Sequence, residues 1–181
     1  MPFKLRDYRA ADFDRLWEID QFCFAEGISY TQMELSGFIT QRNAITVVAD
    51  FDGPHPEQDR STESTTHFGN ETDAGEPQVE LAVTAEQTAG FIIAHPVRGK
   101  SGRILTLDIV PEARQRGLAS LLMNECERRL RGFGCTEVYL ETAVNNQPAL
   151  KLYRKLGYQI LRTLPGYYAG PVDAFLMGKA L

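Results

Sequence analysis

Apolar residues recur along this chain with two different periods, and the switches between them mark out its elements. A short alternating stretch at Phe3–Tyr8 predicts a strand. Phe13, Leu16 and Trp17 then share one helical face, with Asp12 placed to cap the start of that helix. Phe22-Cys23-Phe24 leads into a loop from Glu26 to Tyr30. Thr31 and Glu34, a hydroxyl and a carboxylate three residues apart, form a capping box that opens a second helix reaching about Gln41. The β-branched run Ile45–Ala49 predicts a strand. Val79–Val83, Ala89–Val97 and Ile104–Val110 read as further strands, the last two joined by a turn at Arg98–Gly102. Leu118, Leu121, Leu122, Cys126 and Leu130 return at helical spacing until Gly132-Phe133-Gly134 stops the helix, whose Glu125, Glu127, Arg128, Arg129 and Arg131 read as a solvated face with local ion pairs. Glu137–Val144 alternates as a strand, and a short helix from Pro148 to Leu156 ends at Gly157. Tyr158–Arg162 and Ala174–Leu181 complete the set. Strands interleaved with helices, some joined as hairpins, predict a layered α/β fold with a mixed sheet.

From Asp52 to about Gln78 neither period holds. This segment carries Pro54, Pro56 and Pro77, many Ser, Thr and Gly, and seven acidic residues against one Arg. With almost nothing to bury, it reads as a mobile acidic insertion between two strands of a single domain spanning 1–181. The chain's 181 residues suit one domain with a sizeable core. Its 19 basic and 24 acidic residues give a formal charge of −5. That balance argues against broad nucleic-acid binding, which needs Lys and Arg to meet phosphates, but leaves room for a local basic site. Cys23, Cys126 and Cys135 have no metal-ligand spacing and read as free thiols in a reducing compartment. The start of the chain lacks the apolar core of a signal peptide. Runs such as Ala89–Ala94 fall far below the ~18 residues of a membrane span. The expectation is a soluble cytoplasmic protein without a membrane partner. His55, His67 and His95 form no ligand cluster, so no metal is assigned.

The chemistry concentrates where the strand at Ile104–Val110 runs through Pro111-Glu112-Ala113-Arg114-Gln115-Arg116 into a helix opened by Gly117, Leu118, Ala119 and Ser120. Free amides at a helix start, reinforced by the helix dipole, attract an anion. Small side chains let a pyrophosphate reach the backbone, and Arg114 and Arg116 can add charge-assisted bonds. An ordinary strand-to-helix turn with solvated arginines would carry the same residues. The pattern is not a P-loop, since no Gly-Lys-Ser/Thr ends it, and it lacks the first two glycines of a dinucleotide fingerprint.

A second stretch sits downstream, Tyr139-Leu140-Glu141-Thr142-Ala143-Val144-Asn145-Asn146-Gln147-Pro148, continuing as Ala149-Leu150-Lys151-Leu152-Tyr153-Arg154-Lys155-Leu156-Gly157-Tyr158. Together the two stretches resemble the GCN5-related N-acetyltransferase (GNAT) superfamily, especially its RimI-like branch, which acetylates protein N-termini. Arg114 to Ala119 matches that family's cofactor signature, R/Q-x-x-G-x-G/A, and the later stretch matches its strand, asparagine, helix and LYxxLGY/F ending. The resemblance implies a central, mostly antiparallel sheet flanked by helices, and an enzyme that moves an acetyl group from acetyl-CoA to a primary amine.

It also implies roles. Backbone groups of Leu107, Asp108 and Ile109 would pair with the pantetheine arm, one amide polarising the thioester carbonyl. Amides from Gln115 to Ser120 would hold the pyrophosphate, with Arg114 and Asn146 also at the cofactor. Glu141 would serve as base and Tyr153 as the acid that protonates the departing sulfur. Other readings stay open: Asn146 as a helix N-cap, Glu141 as a solvated strand residue, Tyr153 as a packed aromatic. Tyr167 and Tyr168 match a tyrosine segment bordering the peptide groove, with Ala169 where that segment often has proline. Tyr30 would line the opposite wall or pack as a surface tyrosine.

The acceptor is expected to be a protein or peptide N-terminus. An α-amine titrates near 8 and a lysine near 10.4, a gap of roughly 3.5 kcal/mol that one carboxylate base meets more easily for the α-amine. A lysine side chain or a small amine is the alternative acceptor, and a binding module that senses acyl-CoA without turnover is the alternative from another class.

Overall fold

The computed structural model describes residues 2–24, 28–53, 87–168 and 172–181. The expected strand at Val79–Val83 and, beyond Gly53, the acidic insertion lie outside the described residues, as do His55 and His67. Seven strands form one sheet: β1 (Phe3–Asp7), β2 (Ile45–Phe51), β3 (Thr88–Val97), β4 (Ser101–Ile109), β5 (Glu137–Ala143), β6 (Gln159–Leu164) and β7 (Ala174–Ala180). Their order is β1-β2-β3-β4-β5-β7-β6, and every neighbouring pair is antiparallel except β4 with β5. Among the described residues four α-helices accompany them: α1 (Phe13–Cys23), α2 (Gln32–Thr40), α3 (Leu118–Gly132) and α4 (Gln147–Lys155). This is the flanked, mostly antiparallel sheet expected from the sequence. No described helix is long and apolar enough to cross a membrane.

The sheet's centre carries the core. β3 is buried at every position from Thr88 to His95, on both faces, and both α1 and α3 pack on it. Consecutive burial of this kind explains why the β3 sequence reads as a continuous apolar run rather than an alternating one. β3 and β4 also lie unusually close at Gly90, where a Cβ would collide with the carbonyl oxygen of Asp108. Leu118, Leu122, Cys126 and Leu130 of α3 are buried, as their spacing predicts, while Leu121 is only partly buried and Met123 is buried in addition.

Three local details differ from expectation. Asp12 does not cap α1 with its side chain; its carboxylate instead accepts from Arg6 at 2.7 and 3.0 Å and from the Arg9 amide at 2.7 Å. Glu127, expected on a solvated helix face, is buried and held by Lys179 at 2.8 Å and by the Tyr158 hydroxyl at 3.0 Å. Its neighbour Glu125 does form the local pairs foreseen, with Arg128 and Arg129. Finally, β4 begins at Ser101, inside the expected turn, so the β3–β4 connection is only Arg98–Lys100.

Candidate active site

β4 and β5 are joined at only three rungs, Ser101, Gly102 and Arg103 against Glu137, Val138 and Tyr139. Beyond Arg103 the two strands part: β4 stays with β3 as far as Ile109, and β5 stays with β7 as far as Ala143. A fork opens between them. On β4 the register shifts just after its apex, so Leu105 has no opposite residue in β3 and forms a bulge. Above the bulge the Val110 amide donates to the Ala89 carbonyl, which fixes the alternation of the ladder. Asp108, opposite Phe91, then turns its peptide groups toward β3, whereas Leu107 and Ile109 turn theirs into the fork. Of the three backbone positions expected to face a ligand there, two do. Two carbonyls near the fork already have partners: the Leu105 carbonyl accepts from the Tyr30 hydroxyl at 3.1 Å, and the Ile109 carbonyl from Arg114 Nε at 2.9 Å.

From Ile109 the chain runs through a single turn at Pro111–Ala113 to Arg114, Gln115 and Arg116. Gln115 (φ 58°) and Gly117 (φ 85°) are both left-handed, and Gly117 opens α3 with no side-chain cap. Left-handed residues alternating with ordinary ones turn successive N–H groups into one concavity, a cradle for an anion. A Cβ at Gly117 would meet nothing within 4 Å, so the turn is open on that side. Leu118 is buried, while Ala119 and Ser120 are half-buried. The arginines are less free than the sequence suggested. Arg116 lies over the Phe3 and Phe51 rings, 5.2 and 5.9 Å from their centroids, and Arg114 is turned back onto Ile109 and Cys23. Asn146 acts as the N-cap of α4, its side chain accepting from the Ala149 amide at 3.2 Å.

On the fork's other side Glu141 meets the tyrosine segment after β6 through Arg103. Glu141 accepts from Arg103 Nε at 3.2 Å, and Arg103 Nη2 donates to the Tyr167 hydroxyl at 3.0 Å. Tyr167 and Tyr168 meet edge to face, 5.1 Å between centroids. Tyr153 on α4 has a buried ring, yet its hydroxyl bonds to no described residue. Burial, and to a smaller degree Tyr168 and Asp108, push that phenol's pKa up, so it carries its proton at neutral pH. Tyr168 is pushed up to about 12 by burial, with Tyr167 and Glu141 adding. Tyr30 is raised likewise by burial, with Tyr167 as its next contributor.

Sequence reasoning overlooked three side chains here. Arg103 ties β4 to Glu141 and to the segment after β6. Asp108 was expected to contribute only backbone, but its carboxyl is fully buried with the Thr106 hydroxyl at 3.0 Å, and burial raises its pKa well above the usual range. Asp20 is buried too, accepts from the Tyr30 amide at 2.8 Å, and is pushed up by burial to about 6. An aspartate inside the run Leu107-Asp108-Ile109-Val110 was the available signal. His95 is a packed residue, its Nε2 2.7 Å from the Phe38 carbonyl. Among the described residues no group of His, Cys, Asp and Glu could hold a metal ion.

Comparison with known proteins agrees with this architecture. An N-alpha-acetyltransferase of Saccharolobus solfataricus is 34% identical over 83 residues, 45% of this chain and 50% of that protein. An Arabidopsis thaliana N-alpha-acetyltransferase MAK3 is 39% identical over 74 residues, 41% of this chain and 39% of that one. The chain therefore spans about half the length of the curated relatives it matches. Among solved structures, the ribosomal-protein-S18-alanine N-acetyltransferase from Escherichia coli aligns over 98% of this chain and 93% of its own, with a TM-score of 0.70 at 16% identity. Arabidopsis thaliana NAA60 in complex with acetyl-CoA aligns over 99% and 98%, with a TM-score of 0.73 at 22% identity. Residues 43–158, which include the fork, the left-handed turn and α4, match the acetyltransferase (GNAT) family, and the chain belongs to that family.

Proposed function

We propose that this chain, acting as one domain, transfers an acetyl group from acetyl-CoA to a primary amine, and that its preferred acceptor is the N-terminal α-amine of a protein. The observation that carries this reading is the fork, whose β4 edge leads through the single turn at Pro111–Ala113 to the left-handed turn at Gln115–Gly117. An extended ligand ending in a pyrophosphate fits such a path. The Leu107 peptide groups and the Ile109 amide are strand groups available to a pantetheine arm, and the amides from Gln115 to Ser120 offer an anion cradle. Bound there, acetyl-CoA supplies an activated acetyl thioester. The chain supplies the rest.

The Ile109 or Leu107 amide, aimed into the fork, polarises the thioester carbonyl. Glu141 takes the proton that the acceptor ammonium must lose before its nitrogen can attack. Tyr153, kept protonated by burial, gives its proton to the sulfur as the carbon–sulfur bond breaks. Tyr30 on one side and Tyr167 and Tyr168 on the other border the acceptor. Asn146 supports this arrangement by starting α4, which carries Tyr153. Acceptor choice follows from the base: one carboxylate suits an amine titrating near 8 better than one near 10.4. Relatives named as N-alpha-acetyltransferases favour the same acceptor. Three free cysteines suit a reducing compartment, consistent with a cytoplasmic setting.

The test is to incubate the purified chain with acetyl-CoA and a library of lysine-containing peptides with free N-termini, then map acetyl groups by mass spectrometry. Acetyl on α-amines is expected. Acetyl on lysine side chains would keep the chemistry and overturn the acceptor. Transfer only to small amines would do the same, and acetyl-CoA bound but unaltered with every amine class would make the chain an acyl-CoA sensor.

A further inference from the structure

The acceptor side of the fork is uneven in charge. Arg103 leaves β4 at the last rung before the strands part, opposite Tyr139. Its Nε and Nη2 both lie 3.2 Å from the same Glu141 oxygen, and Nη2 also donates to the Tyr167 hydroxyl at 3.0 Å. Nη1, with two N–H bonds, has no partner among the described residues. The ion pair is also lopsided in exposure: the Arg103 side chain is 43% accessible and that of Glu141 only 15%. The anion sits inside and the cation outside.

Among the described residues, no carboxylate other than Glu141 bonds to Arg103. Tyr30, Tyr167 and Tyr168 are phenols whose pKa values burial raises, so they are neutral at pH 7. Asp20 and Asp108 are fully buried behind them. An incoming acceptor therefore meets the free edge of a guanidinium, a planar donor matched to a carboxylate. We infer that Arg103 selects acceptors carrying a carboxylate close to the reacting amine, namely chains with Asp or Glu at the second or third residue. Lys or Arg at those places is disfavoured by like charge. The distance is set by the chain itself: an extended residue spans about 3.5 Å, so only the first few residues reach Arg103 while the amine lies at Glu141.

This inference rests on the acetyl-transfer reading, and its test separates the two. Peptides identical except for Asp, Gln or Lys at the second residue are compared by kcat/KM on the wild-type chain, Arg103→Gln and Arg103→Glu. The ratio between peptides is read within each protein, so a general loss of rate through Glu141 cancels. The wild-type chain is expected to favour the Asp peptide over the Lys peptide by about tenfold at low salt, shrinking severalfold near 0.5 M salt. Arg103→Gln brings the ratio close to one, and Arg103→Glu inverts it. Should either variant fail to fold, the wild-type ratio and its salt dependence still decide. A wild-type chain that acetylates the Gln peptide with no advantage for Asp overturns the inference and leaves acetyl transfer standing. So does an Asp preference that Arg103→Gln retains. A chain that acetylates none of the peptides overturns both.

Discussion

The two halves of the sheet are held by different forces. From β1 to β4 the strands pair along nearly their whole lengths, and the rows between them are apolar: Val47, Val48, Phe91, Ile92 and Ile93 have no exposure at all. From β5 to β6 the cover is thinner, and Gln159–Thr163 of β6 are exposed. There α3 reaches across with a charge, buried Glu127, which meets Lys179 of β7 and the hydroxyl of Tyr158. Dispersion and burial are indifferent to small slides, whereas a hydrogen-bonded ion pair fixes position. The half with the thinner cover is thus located by a buried directional bond, as Arg6 with Asp12 and Asp50 does at the sheet's other edge, and the fork lies along the seam between the two.

The largest effect should come from cutting chemistry at the seam without disturbing either half. Tyr153→Phe removes a hydroxyl that bonds to no described residue, so packing is kept. Turnover should fall roughly 10²–10⁴-fold, the range for loss of a general acid, while acetyl-CoA affinity changes less than about threefold. Unchanged turnover would take Tyr153 out of the reaction.

Next in size is the bond that locates the second half. Glu127→Gln leaves Lys179 facing a neutral amide in a buried place, a loss of about 3 kcal/mol on the scale of broken buried pairs. Denaturant unfolding would measure it, and hydrogen exchange should quicken in β7 and β6 before β3. Equal quickening in both halves would erase the contrast drawn above.

The smallest effect belongs to the first half. Burial lifts the Asp20 carboxyl to about 6, above its unfolded value, so the native state holds its proton more tightly than the unfolded chain does. That stabilising contribution is complete below about pH 4 and disappears as pH rises through about 6, changing stability by roughly 1–3 kcal/mol. Asp20→Asn should flatten the pH 4–6 part of the melting-temperature profile relative to wild type; parallel profiles would show that Asp20 titrates normally.

Much of this was legible in the sequence because it is local. The capping box of Thr31 and Glu34, the apolar stripe of α3 and the Gly157 stop each depend on residues a few positions apart. The turn from Arg114 to Gly117 and the stretch from Glu141 to Tyr153 were legible as a pair, since order and spacing survive in one dimension. Destinations of long charged side chains were not. Glu127 looked solvated because its partner lies 52 residues away, and Arg116 looked ready for an anion because Phe3 and Phe51 come from distant strands. The bulge at Leu105 was hidden too, since it exists only relative to β3. Arg103 went unnoticed for the same reason: its meaning depends on the point where β5 turns away.

The bond between the Tyr30 hydroxyl and the Leu105 carbonyl has a thermodynamic consequence. Under the proposed function, it fastens the loop on the acceptor side directly to the bulge of the strand that would face the donor. Whatever a donor molecule does to the position of that strand is handed to the loop through one hydroxyl, and the loop returns it. Binding on the two sides is then linked, and linkage is reciprocal: the factor by which the donor alters acceptor affinity equals the factor by which the acceptor alters donor affinity.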